Sequence, residues 1–499
     1  MAAALDVTLA SVFGVELATS AWLPPDEAEP GEFVRAAEVI GRAIVERGGR
    51  ARPVVEPAWA GLAARPAVPP SPDERAAAIA RQLAWARAAG ASWDGIAFHV
   101  DAGGNASVRA SRTLSSGEPI LAVPRCLMIV DSELAASTTG ELALGLPEPG
   151  PEAALAAWLA LEAREPASRW RAYLDALPVQ LAELPMFHDE DDLAALAGTA
   201  AHAIAAEKNR EVHAAYGRLS TDLRARLSLA DLAWGYALVM SRGFHAPGTL
   251  DHHVALIPLV EMFNHGLGDT TWTYDPLDGF VVRTVREVAI GDEVHFPYGV
   301  RSNTHLVVYF GFALDRNTTS EAGLVFDRAS DPVNHVAAHL LWELPLEAPA
   351  RIRVGCRLDH RFQRALSMAR LQASGPVERA RALEAGLTPY GDLPWLGGAL
   401  EDAALAVLAA AARRALAELN AHSPRATPRP WDRLCSAVRD AERAVIEQII
   451  EFASMAREVL HGQDPARLRA AAAAIPDDAL GPRGLLRAYL HAIADEPTA

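Results

Sequence analysis

Leu256-Ile257-Pro258-Leu259-Val260-Glu261-Met262-Phe263-Asn264-His265 and Gly291-Asp292-Glu293-Val294-His295-Phe296-Pro297-Tyr298-Gly299-Val300-Arg301-Ser302-Asn303 are the stretches on which the reading of this chain turns. The first is an apolar run that stops on an Asn-His pair. The second brings a strand pattern to a Tyr-Gly. Between them, Thr270 to Tyr274 and Phe280 to Val285 flank Asp275-Pro276-Leu277-Asp278-Gly279. Pro presets φ and Gly allows positive φ, so this segment predicts a β-hairpin. Taken singly, each motif is ordinary: a histidine after apolar residues usually caps or fills a core, and Tyr-Gly is a common turn. Their order and the continuation Gly311-Phe312-Ala313 to Asn317 make the set specific.

Working outward, the pattern changes in blocks. Residues 1–72 form an extension ending in a Pro/Ala-rich stretch, 52–72, that reads as a linker. A helix is expected from Asp73 through Arg87, before Gly90. Short β patterns follow at 95–100, 107–110 and 119–124, divided by Ser115-Ser116-Gly117-Glu118. From about 151 to 243 the period is helical, with Trp158, Leu161, Trp170, Tyr173 and Leu177 on apolar faces. The last helix of this block opens at Ser228, with Asp231 three residues on as a capping box, and stops at Gly243. Beyond about 330 nearly everything reads as helix, in long segments 394–419, 432–460 and 465–493. The domains expected are therefore 1–72, 73–320 with a helical insertion, and 321–499. The class is α+β: a small β-rich domain followed by an all-α region.

Composition bounds the function. At 499 residues, 51% hydrophobic and 22% charged, the chain can build a sizeable core. A net charge of −17 argues against a nucleic-acid binder; it would steer a basic protein substrate favourably, although most acidic proteins are acidic only for solubility. Cys126, Cys356 and Cys435 lie too far apart for a CxxC metal site and are expected as buried thiols in a reducing cytoplasm. No Lys or Arg precedes Arg35, so a charged signal-peptide start is missing, and no uncharged run is long enough for a membrane span. His245, Asp251, His252, His253, Glu261 and His265 raise the alternative of a metal hydrolase. They lack HExxH or any comparable spacing, and no metal is expected.

The two opening stretches resemble P-L-x-D-M-x-N-H, a hairpin, then G-E-x-x-x-x-Y-G-x-x-S-N-x-x-L and G-F. These are the halves of the knotted active site of SET-domain methyltransferases of the Rubisco large-subunit lysine and actin-histidine type. Trp85 to Ser92, Val108 to Arg112, Gly117-Glu118 and Val123-Pro124-Arg125 resemble the same family's opening segment. The resemblance covers about 73 to 317. The tail is similar only in architecture, and 1–72 is unmatched.

The resemblance implies an S-adenosyl-L-methionine-dependent N-methyltransferase that modifies lysine of a non-histone protein. The alternatives are a histidine methyltransferase and an inactive SET-like binding module. Tyr298 would be the catalytic hydroxyl. Asn264 and His265 would hold the cofactor, and main-chain groups from Gly104 to Ala106 would receive its amino-acid end. Arg242 matches a cofactor arginine, although it also suits a helix C-terminus as a plain cation. Arg75 and Arg301 are further cofactor candidates that could equally be surface charges. Phe244 stands where the lysine-modifying relative has Phe and the histidine enzyme Asn, so an aromatic wall for a lysine stem is implied; it could also be simple core. The sequence departs from the family at Asn105-Ala106-Ser107-Val108, where G-x-G-L is usual, at Glu261, where Asp is usual, and at Phe296-Pro297.

Overall fold

A computed structural model describes residues 61–64, 68–136, 151–244, 254–275, 277–315, 317, 319–326, 350–374, 398–421, 429–460 and 465–495. Most of the extension and linker, and His245 and Asp251 to His253 of the metal alternative, lie outside the described residues. Contacts divide the described chain into a β-rich unit within 61–193 and 203–313, and a helical unit within 194–202 and 314–495.

In the β-rich unit, helix α1 (Pro72–Ala88) starts on a reciprocal capping box between Ser71 and Glu74. Its buried residues Ala78, Ile79, Gln82 and Ala86 recur at three- and four-residue spacing, which puts them on one face. Strands β1 (Ser92–Trp93), β2 (Ile96–Val100), β3 (Ala106–Ala110), β4 (Pro119–Pro124) and β5 (Ile129–Val130) follow. The insertion supplies α2 (Pro151–Glu162), α3 (Arg171–Leu174), α4 (Glu190–Ala194), α5 (Ala200–Arg218), α6 (Thr221–Arg226) and α7 (Leu229–Arg242). Helix α7 opens on the expected Ser228–Asp231 capping box and packs against α2. Then come β6 (Gly243–Phe244), β7 (Ala255–Leu256), β8 (Thr270–Asp275), β9 (Gly279–Thr284) and α8 (Asn303–Phe310).

The strands form three small antiparallel sheets rather than one. Their orders are β1-β4-β9-β8, β2-β3 and β5-β7-β6. The hairpin is present as expected, with Thr270 opposite Thr284 and Asp275 opposite Gly279. Inward residues such as Val108, Leu121, Phe280, Val282 and Phe296 fill a core beneath the sheets, while Trp158, Leu232 and Leu238 anchor a second core among the helices.

The helical unit carries α9 (His360–Ala373), α10 (Gly398–Asn420), α11 (Pro430–Leu460), α12 (Pro465–Ala473) and α13 (Gly481–Asp495). It is mostly helical, as expected, but also holds an antiparallel pair, β10 (Glu321–Phe326) with β11 (Ala350–Gly355). The single helix expected over 465–493 is two helices, because the chain turns at Pro476 and takes a positive φ at Gly481. Residues 194–202 join this unit: the buried Glu442 carboxylate accepts the Ala200 amide, and Arg439 donates to the carbonyls of Ala195 and Ala197. The thiols differ from expectation too. Cys435 is buried, but Cys356 is half-buried and Cys126 exposed.

Candidate active site

The site lies in the β-rich unit, where the two opening stretches run side by side. His265 and Phe296 form a parallel bridge: the Phe296 amide donates to the Asn264 carbonyl at 2.9 Å and the Gly266 amide to the Phe296 carbonyl at 3.2 Å. A Cβ on Gly266 would sit 2.6 Å from Cβ of His295, so the close approach needs glycine here. On its earlier residues the second stretch pairs with β3, through Val294 amide to Val108 carbonyl and Gly291 amide to Ala110 carbonyl, both 2.8 Å. Residues 291–298 thus bridge β3 and the Asn-His turn.

Tyr298 is fixed at the end of that bridge. Its hydroxyl donates to the Phe263 carbonyl at 2.7 Å, and its amide donates to Nδ1 of His265 at 3.2 Å. The second bond defines Nδ1 of His265 as an acceptor, so this ring is neutral with its proton on Nε2. Burial lowers the His265 pKa, which favours that state. The Tyr298 ring packs against His265, Phe310 and Phe312 at centroid distances of 5.1, 4.9 and 6.5 Å. Burial pushes its hydroxyl up to about 12, so it remains a neutral phenol at physiological pH.

Asn264 is exposed and joins three distant segments. Its Nδ2 donates to Glu293 at 2.7 Å and reaches the Ala106 carbonyl at 3.5 Å, while Glu293 bridges to Arg109 of β3. The loop before β3 carries its glycines just upstream of the 105–108 departure from G-x-G-L, at Gly103 and Gly104. Gly104 takes φ +82° in a turn organised by Asp101, whose Oδ1 accepts the Gly103 and Asn105 amides at 2.8 Å each. The Gly104 amide donates to the Asp101 carbonyl. Three amides of this loop are therefore engaged internally, leaving the Ala106 end beside Asn264.

Behind the turn lies a buried polar group. Glu261 Oε1 accepts from Nε2 of Gln82 on α1 at 3.2 Å. Glu261 Oε2, Gln82 Oε1 and Arg242 Nε are all buried without a hydrogen-bond partner. Burial drives the Glu261 carboxyl up to about 7, against the opposing pull of the Gln82 bond and the charges of Arg242 and Arg75. Arg75 is half-buried, donates to the Ala176 carbonyl, and has its pKa lowered by burial and by Arg242. The charges of Arg242 and Glu261 both act on Tyr298 and on the fully buried hydroxyl of Tyr173.

Arg75, Arg242, Asn264, His265 and Tyr298 are thus gathered by direct bonds or by charge. Arg301 is exposed and touches the group through Nε to the Tyr298 carbonyl at 3.4 Å. Phe244 packs edge-on to Phe280 and Phe296, at 5.6 and 5.8 Å. It shares the Phe296 wall without a ring contact to Tyr298 among the described residues. Sequence reading passed over Gln82, Tyr173, Glu293, Phe310 and Asp101. Of these, Gln82 had a signal: a polar residue at a position where the period of α1 calls for an apolar one. Among the described residues no group of three or more His, Cys, Asp or Glu is placed to hold a metal ion, and no helix is long and apolar enough to cross a membrane.

No protein-family model matches the chain. It is 27% identical over 321 residues to the actin-histidine N-methyltransferase of Mus musculus, covering 56% of this chain and 53% of the relative. It is 28% identical over 222 residues to the chloroplastic fructose-bisphosphate aldolase-lysine N-methyltransferase of Arabidopsis thaliana, covering 41% and 45%. The chain spans about half the length of these relatives. Among solved structures it is similar to the SET domain of LSMT bound to lysine and AdoHcy, with TM-score 0.58 and 18% identity over 77% of this chain and 92% of that one. Rubisco LSMT bound to AdoMet matches with TM-score 0.57 at the same identity, over 77% and 93%. By sequence and by fold, the chain is a SET-fold protein related to the actin-histidine and aldolase-lysine N-methyltransferases.

Proposed function

We propose that this chain is an S-adenosyl-L-methionine-dependent protein N-methyltransferase acting on lysine of a non-histone protein. The observation that carries the reading is Tyr298, a half-buried neutral phenol anchored to the Phe263 carbonyl where the Asn264-His265 turn meets the strand through Phe296. Orphaned buried atoms on Arg242 and Glu261, and the exposed amide of Asn264 beside the Ala106 carbonyl, suit a ligand that carries both an ammonium and a carboxylate. Arg75, Arg242, Asn264, His265 and main-chain groups from Gly104 to Ala106 would hold it, with Arg301 at the rim. When bound, S-adenosylmethionine supplies an electrophilic methyl on a sulfonium.

The chain's own residues would then do three things. Desolvation around Tyr298 disfavours an ammonium, which matters because a free lysine near pKa 10.4 costs roughly 4–5 kcal/mol to present neutral at pH 7. With its proton committed to Phe263, the Tyr298 oxygen keeps lone pairs to accept an N–H from the acceptor amine and orient it. Fixed donors on a rigid crossing cost no reorganisation as charge is lost. Phe244, beside Phe280 and Phe296, would flank the lysine stem.

The relatives act on histidine as well as lysine by name, so histidine is the second reading. We place the protein in the cytoplasm on the strength of its dispersed cysteines, which form no disulfide among the described residues. Incubation with cell lysate and labelled cofactor, followed by mass spectrometry of the modified peptides, tests the proposal. Methyl-lysine is expected; methyl on imidazole overturns the lysine preference, and no labelled product overturns the activity.

A further inference from the structure

Glu261 is the least expected group in the site. It occupies a three-residue 3-10 turn, Val260–Met262, two residues before Phe263 and three before Asn264. Leu259, which launches that turn, is fully buried with φ +76° and is the only non-glycine residue with positive φ among the described residues. Such a backbone persists only where its surroundings over-determine it. The Gln82–Glu261 bond ties this turn to α1. A buried carboxylate with one oxygen unpartnered is costly, and an apolar or amide side chain would be cheaper. Its charge therefore points to a use.

We infer that Glu261 is a positioning residue for the cofactor site: anchored on Gln82 and drawing Arg242 by charge, its ionised carboxylate sets the turn that carries Asn264 and His265. The inference rests on the proposed methyltransferase reading and deepens it. The groups facing Glu261 are Arg75 and Gln82 of α1, Tyr173 of α3, Arg242 of α7 and Tyr298. The two phenols, pushed up by burial, stay neutral throughout the neutral range, as does His265 above its lowered pKa. Glu261, pushed up to about 7, is the member that changes. Protonation removes the attraction for Arg242 and weakens acceptance from Gln82, so the site loosens as pH falls.

Calorimetric titration of S-adenosylhomocysteine into the full chain from pH 6 to 8.5 tests this, with circular dichroism of each variant as a control for folding. Wild-type affinity is expected to rise by about tenfold over this range, the response to one linked proton. Glu261→Gln should bind with a flat pH profile near the wild type's acid value, and Glu261→Asp should restore the pH dependence. Gln82→Leu should move the midpoint upward, because the carboxylate loses its donor. If Glu261→Gln fails to fold, an unshifted midpoint in Gln82→Leu overturns the inference. Wild-type binding with a flat profile, or Glu261→Gln binding as wild type does at both ends, overturns it while leaving the methyltransferase reading intact. No binding by the wild type at any pH overturns that reading, and this inference with it.

Discussion

The hydroxyl of Tyr298 and the main-chain carbonyl of Phe263 are joined by a 2.7 Å hydrogen bond across 35 residues of sequence. Phe263 immediately precedes Asn264-His265, so this bond, with the Tyr298 amide to His265 Nδ1, ties the proposed catalytic group to the proposed cofactor turn. Removing that hydroxyl takes away the orienting acceptor but leaves the aromatic packing. Tyr298→Phe should therefore change cofactor affinity by less than about threefold while lowering methyl transfer by about 10²–10³-fold, the usual scale for a lost positioned hydrogen bond. Calorimetry and a single-turnover transfer assay separate the two effects.

Gly266 gives a purely structural prediction. A methyl group there would meet Cβ and Cγ of His295 at 2.6 and 2.7 Å. Gly266→Ala should destabilise the β-rich unit by about 1–3 kcal/mol, as overpacking does, and weaken cofactor binding through the displaced His265–Phe296 bridge. Urea denaturation followed by tryptophan fluorescence reads the first effect.

Asn264→Ala removes the donor that reaches Glu293 and Ala106 while leaving the main-chain crossing in place. Cofactor affinity is expected to fall about tenfold, equivalent to roughly 1.4 kcal/mol, with less than about 1 kcal/mol lost in stability because the residue is exposed. Paired calorimetry and denaturation measurements check both halves.

Glu261 makes stability depend on pH in the unusual direction for an acid. Its folded pKa, about 7, lies above its ordinary 4.5. Between those values the native state holds a proton that the unfolded chain has released, so this group's contribution falls as pH rises through the window. The loss is at most about 3 kcal/mol by pH 8. The stability of the wild type relative to Glu261→Gln, compared by urea denaturation at pH 4.5 and 8, should fall as pH rises; a constant difference would rule out the raised carboxyl.

In the helical unit, Arg370 donates through Nε and Nη2 to the two Glu401 oxygens at 2.9 Å each, and Tyr489 donates to Glu401 Oε1 at 2.6 Å. All three residues are at least 95% buried. Glu401→Ala strands a buried guanidinium and should cost about 3–5 kcal/mol, seen as a loss of cooperative helix unfolding by circular dichroism.

How legible these features are in the sequence follows from how local their causes are. Helix α7 could be read from Ser228, Asp231 and Gly243 because its caps are chemical and close at hand. The β8–β9 hairpin could be read because Pro276 to Gly279 spell its turn. Strands β5, β6 and β7 have two residues each and owe their existence to partners more than a hundred residues away in the case of Ile129 and Leu256. No periodicity can develop over two residues. The pairing of β10 with β11 likewise depends on contacts across the chain. Asn264, His265 and Tyr298 were visible as motifs, but their mutual bonds were not, and Gln82 showed only as a polar residue on an apolar face. That the turn before 105–108 uses Gly103 and Gly104 and is closed by the Asp101 side chain was not legible, because the closure is a side-chain bond to main-chain amides.

The most direct measurement is transfer of a tritiated methyl group from S-adenosylmethionine to lysate proteins by the wild type and by Tyr298→Phe, with cofactor binding confirmed for both. The account predicts labelled protein with the wild type and a loss of at least about a hundredfold with the variant at nearly unchanged affinity. Equal labelling by the two proteins, or none by a wild type that binds cofactor, would contradict it.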